Sequence, residues 1–227
     1  MAHERQQRNV VPDSRAKQRT FQKRPPGGGN LPVRRRAGPP SACRSGYSLF
    51  PIMIRAAIPG GWRLIEHPEH ARLAGQFARR WKNAHFPPPE PFAHVLDAVY
   101  RHDDSLGPRD RAPTLTPEGQ PSAFSRELVG TYDAFEEIEM EPYLNVRGAA
   151  TEAAAERDPY AAILISMHTV NLLTEQADLT GLDDASRAIH TRFIDGQRRR
   201  QAELRELLTA TPLAQFMSDA ALQRGIE

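Results

Sequence analysis

The chain has 227 residues, 8 histidines, a single cysteine and a formal net charge of +2. That charge is unevenly spread: residues 1–52 carry a net +9 and residues 53–227 a net −7. Cys43 alone excludes a disulfide framework or a thiolate zinc site, and no apolar run reaches the ~18–20 residues of a membrane span. The basic pI near 8.9 belongs to the first quarter of the chain and is no argument for nucleic-acid binding by the remainder. The expectation is therefore a cytoplasmic protein with no membrane partner, acting if at all on a small molecule whose identity the sequence does not give.

Residues 1–52 are rich in Arg, Gln, Pro and Gly and lack apolar periodicity, so they are expected to form a disordered basic tail. The run Arg34–Arg36 reads either as an anion-binding arm or as a tail with no dedicated partner. A further reading makes Met53 the natural start, with the upstream residues due to a misassigned start codon. Residues 53–227 are then one helical domain.

It opens with "MIRAAIPGGWRLIE", two apolar runs around a Pro-Gly-Gly turn, which predicts a small β-hairpin. The first helix is "HPEHARLAGQFARRWKN", with Pro68 and Glu69 suited to its first turn. Its expected core stripe is Leu73, Ala74, Phe77 and Trp81, with His70 on the same face. After the prolines of "FPPPEP" a second helix carries the stripe Phe92, Val95, Leu96 and Val99, continued by His102 and Asp103. His94, Asp97 and Arg101 take the opposite, solvated face. Gly107 and Pro108 should end this helix. A turn-rich connection follows, "APTLTPEGQPSAF", then helical sequence through Tyr132, Phe135 and Ile138 that Pro142 should interrupt, and a further helix to about Arg157.

Asp158 as N-cap and Pro159 as first residue open the helix "PYAAILISMHTVNLLTEQ". It is apolar nearly all round, which marks it as the central helix, and His168 shares a face with Leu164 and Leu172. A long amphipathic helix from about Asp184 to Leu208 uses Ile189, Phe193, Leu204, Leu207 and Leu208, with Asp195 outward and His190 and Gln197 towards the buried side. Thr211 and Pro212 cap a short last helix packing Leu213, Phe216 and Met217.

Three helices thus send a histidine inward, and one adds a carboxylate. Burying an imidazole is costly unless it is hydrogen-bonded or metal-bound. Imidazole and carboxylate together suit Zn, Mn, Fe or Ni, and converging helices commonly carry such sites. His70, His102, Asp103 and His168 are the candidate ligands. Asp104 has two readings: a carboxylate that orients a ligand or acts as general base, or a solvated acid at a helix end.

Two resemblances attach to these pieces. "GWRLIEHPEHARLAGQFARRW", "AVYRHDD", "PTLTPEGQPSAF" and "DPYAAILISMH", in this order, resemble an uncharacterised bacterial family known as domain of unknown function 3891. That family usually looks like "HDDGW" where this chain has "HDDSLG". More distantly, "AVYRHDDSLG" looks like the His-Asp signature of HD-domain metal phosphohydrolases, all-helical proteins with ligands in the order His, His-Asp, Asp. That resemblance implies His70, His102 and Asp103 as ligands and His168 as an extra one. No Lys follows the His-Asp pair and no convincing late Asp is found. The fold expected is an all-α, HD-like bundle with a small N-terminal hairpin. The function expected is a divalent-metal hydrolase, with phosphoesters as one substrate class. The alternative is a non-catalytic binding or sensor protein whose His/Asp cluster is a buried polar network.

Overall fold

The structure is a computed structural model and describes residues 19–22, 54–82, 85, 87–111, 115, 119–121, 140–177 and 179–226. Cys43, Arg34–Arg36, Met53, most of the turn-rich connection and the helical stretch through Tyr132, Phe135 and Ile138 lie outside the described residues.

The hairpin forms as expected, with β2 (Ile54–Ile58) and β3 (Gly61–Ile65) antiparallel in the register Ile58↔Gly61 to Ile54↔Ile65. Pro59 and Gly60 make the turn, and Gly60 has φ +82°. Pro followed by a residue at positive φ is the pairing a type II turn demands. The sequence reading put no strand in residues 1–52, yet β1 (Arg19–Gln22) pairs antiparallel with β3. The sheet order is β1-β3-β2, so β3 is central.

The α-helices among the described residues are α1 (His67–Arg80), α2 (Phe92–Arg101), α3 (Gly107–Asp110), α4 (Met140–Ala155), α5 (Pro159–Asn171), α6 (Asp184–Leu208) and α7 (Asp219–Ile226). The central position of α5 is as expected. Tyr160 to Ser166, Thr169 and Val170 are all buried, and its flanks meet α2, α4, α6 and α7. The Asp158 carboxylate accepts from the amides of Tyr160 and Ala161 at 3.0 and 3.2 Å, closing the helix start. At its far end α5 continues as a π-helical turn, Leu172–Gln176. One apolar cluster gathers Tyr143, Leu144, Val170, Leu173 and Ile194 at that end; another gathers Val95, Ala98, Ile163, Leu204 and Leu222 at the other.

Several helical details differ from the sequence reading. In α1 the buried positions are His67, Ala71 and Gly75, whereas Leu73, Phe77 and Trp81 are exposed at 53%, 65% and 57%. The small face faces inward because Tyr100 of α2 packs directly over Gly75; the large apolar residues would not fit between two helices so close. Pro142 lies within α4, at its third described residue, and the stretch it was expected to interrupt lies outside the described residues. Gly107 and Pro108 open α3 and do not end α2, which already stops at Arg101. In α6, Leu204 and Leu208 are buried but Leu207 is 63% exposed.

No described helix is long and apolar enough to cross a membrane.

Candidate metal centre

The site is built where α2 stops. Regular helix ends at Arg101, and Asp103 takes φ −119° and ψ 8° before a 3-10 turn over Asp104–Leu106. This break turns successive side chains apart: Asp103 is 4% exposed, whereas Asp104 lies on the surface, 3.4 Å from the Arg101 guanidinium. Asp104 is thus a solvated acid in this structure and is not brought to the histidines.

His70 of α1, His102 and Asp103 each offer a ligand atom within 4.8 Å of the others. The third histidine arrives from α5: the His168 and His102 rings stand edge-on with centroids 5.1 Å apart, and the His102 and His70 rings likewise at 5.6 Å. The four predicted ligands therefore gather in one place, with His102 in the middle. His168 is on the His102 side and outside the tight three-residue group.

The proton on His102 Nδ1 follows from its partner. Nδ1 lies 2.8 Å from the Val99 carbonyl oxygen, which can only accept, so Nδ1 carries a proton and Nε2 is the ring nitrogen left for another partner. Nε2 faces Asp103 Oδ2 at 3.4 Å. Two donors each ~2.1 Å from one tetrahedral ion would lie about 3.4 Å apart. An imidazole fixed through a backbone carbonyl on its other nitrogen is also the usual support of a metal-ligating histidine.

Charge in the site is set by a residue the sequence reading passed over. Arg147 of α4 is 2% exposed and donates from a terminal nitrogen to Asp103 Oδ1 at 2.6 Å. Its Nε donates to the Tyr143 hydroxyl at 2.7 Å, one helical turn earlier. Burial alone would raise the Asp103 carboxyl, but Arg147, helped by the surrounding histidines, outweighs it and holds Asp103 well below the usual carboxylate range. The two shifted histidines are lowered as well, here because burial disfavours the charged imidazolium. Burial pushes His168 down to about 4, aided by His102 and Arg147, and burial lowers His70 as well. Anionic carboxylate and neutral imidazole are the forms a metal needs.

His67, a turn before His70, was also unforeseen. It is 3% exposed, its Nδ1 lies 3.2 Å from both carboxylate oxygens of Asp110, and its backbone amide donates to Asp110 Oδ2 at 2.6 Å. This buried pair ties the start of α1 to α3 beside the cluster. A signal for Arg147 existed: the buried positions Met140, Tyr143, Leu144, Arg147, Ala150, Thr151 and Ala154 recur every three or four residues, so Arg147 occupies a core position.

The other expectations fall as follows. Asp195 is exposed, as read. His190 and Gln197 are buried, His190 Nε2 donating to the Leu173 carbonyl at 3.0 Å and Gln197 Oε1 accepting from Thr151 and Ser166 at 3.0 and 2.7 Å. His94 is not a bland surface group: its Nδ1 is 2.7 Å from Asp158 Oδ2, linking α2 to the cap of α5.

Fold and site together define a helical protein with a buried His/Asp cluster between α1, the end of α2 and α5. Residues 53–224 match the family described as a protein of unknown function (DUF3891), and the chain belongs to that family. No curated protein and no solved structure matches it.

Proposed function

We propose that this protein is a divalent-metal-dependent hydrolase, with phosphoesters the leading substrate class and His70, His102 and Asp103 holding the ion. The observation that supports this most is the grouping of those three donors within 4.8 Å, with His102 Nε2 3.4 Å from an Asp103 carboxylate oxygen. His168, kept neutral by burial, serves as an additional ligand from the α5 side. Arg147 holds one oxygen of Asp103 and leaves the other towards His102, which fixes the carboxylate's orientation. A bound divalent ion supplies Lewis acidity and a water of lowered pKa. His70, partly exposed, gives the cluster its access to solvent. The order His, His-Asp along the chain agrees with the HD-domain resemblance, which supports the reading by analogy only.

A second reading is favoured by the same Arg147. The Arg147–Asp103 pair already compensates the buried carboxylate without an ion, as it would in a non-catalytic binding or sensor protein.

Metal analysis of full-length protein purified without chelators separates the two. The hydrolase reading expects close to one divalent ion per chain, released by His102→Ala and by Asp103→Asn. Metal-free protein that does not take up Zn, Mn, Fe or Ni on addition overturns it.

A further inference from the structure

A cavity of about 170 Å³ lies against the cluster on the His168 side. Its walls come from Ala98 and Val99 of α2, Leu164 and Ile165 of α5 and the last turn of α7, and His102 and His168 are the polar residues among the described residues that line it. An engineered apolar cavity of about 150 Å³ in another protein accepts benzene, so this one has room for a group of roughly six carbons.

We infer that this cavity binds a compact apolar group, and that the ligand's polar end lies on the side of His102 and His168. Among the described residues its lining contains no Lys, Arg, Asp or Glu, so an anionic group at the apolar end would have no charged partner there. A sugar placed there would leave hydroxyls unmatched against Leu164 and Ile165. Identification of the occupant as the apolar part of a substrate rests on the hydrolase reading above. The substrate is then a phosphoester of a compact hydrophobic alcohol or phenol, with its phosphate turned towards His70, His102 and Asp103 and its hydrocarbon towards α7. The close approach of α7 limits the size of that group: a methyl added at Gly225 would stand 3.1 Å from Leu164.

Binding can be read without turnover. Benzene and phenol are titrated into full-length protein by NMR, with cyclohexanol as a non-aromatic probe of similar size. The expected result is saturable binding by all three, with shifted signals from His102 and His168. Val99→Phe and Ile165→Phe each fill the cavity from a different helix, and each that retains a cooperative thermal transition should weaken benzene at least about tenfold. Failure of all three probes to bind the wild type, or benzene binding unchanged in a folded Phe variant, overturns the inference. Metal content in the same samples keeps the two proposals apart. Probe binding by protein that takes up no metal supports the cavity and ends the hydrolase reading, whereas metal without probe binding does the reverse. In metal-loaded protein, phenyl phosphate should compete with benzene while inorganic phosphate should not; competition by inorganic phosphate alone overturns this orientation of the substrate.

Discussion

Arg147 and Asp103 form an ion pair at 2.6 Å with only 2% and 6% of their side-chain surface exposed, joining α4 to the end of α2. Removing one partner of such a pair leaves an uncompensated buried charge, which costs about 3–5 kcal/mol. Arg147→Met is therefore expected to destabilise by that amount. The double variant Arg147→Met/Asp103→Asn should recover much of the loss, because neither charge then remains. Urea denaturation of the two single variants and the double variant checks this; simple additivity would mean the pair is not coupled.

Gly75 faces the Tyr100 ring so closely that a β-carbon would overlap it. In an ordinary helix interior, Gly→Ala stabilises by up to about 1 kcal/mol. Here the sign should reverse, with Gly75→Ala destabilising by about 1–3 kcal/mol through overpacking. Tyr100→Ala in the same chain should relieve the clash. Thermal and urea unfolding of the single and double variants give the sign directly.

His94 Nδ1 and Asp158 Oδ2 are 2.7 Å apart, with 36% and 17% of their side-chain surface exposed. The contact spans two helices and engages the carboxylate that caps α5, so His94→Ala should cost about 0.5–1.5 kcal/mol. Asp158→Ala should cost more, because it also removes the acceptor for the amides of Tyr160 and Ala161. Equal losses from both variants, measured by urea denaturation, would show that the cap itself contributes little.

The helical class, the hairpin and the boundaries of α5 and α6 were legible because they rest on local signals: Asp158-Pro159, a Pro-Gly turn and long 3.6-residue periodicity. The inward placing of His102, Asp103 and His168 was legible too, since an imidazole in an apolar stripe has few other places to go, whereas His70 reaches the cluster although the stripe it was read with is exposed. What failed was size. Periodicity reads Leu73, Phe77 and Trp81 as a core stripe, but it cannot know that Tyr100 lies over Gly75 and that α1 buries its small face. The same blindness affected charge. Helical phase separated Asp97 from Asp103, but Asp104 kept two readings that only the break in helix after Arg101 decides between. Arg147 was missed because a charged residue is read as surface by default, even at core spacing. Strand β1 was missed because four residues without a partner in view carry no pairing signal of their own.

The acid sensitivity of metal-free protein follows from two opposite groups in the cluster. His168 has an ordinary value of 6.5 and is pushed down to about 4 in the native state, first by burial and then by His102 and Arg147. Between those pH values the unfolded chain takes up a proton that native His168 refuses. Stability from this group is therefore complete above pH 6.5 and falls as pH drops towards 4, by at most about 3 kcal/mol. His70, also lowered, adds to the same slope. Asp103 acts further down: its native value lies below the ordinary 3.8, so its contribution holds above that value and is lost at lower pH. His168→Gln should flatten the decline between pH 6.5 and 4 while leaving the loss at lower pH in place. Asp103→Asn should do the converse, removing the steep loss below pH 4. Urea midpoints of chelator-treated protein from pH 7.5 to 3 test both halves. A midpoint that stays level from 6.5 to 4.5 in the wild type would show that His168 is not held neutral by its surroundings.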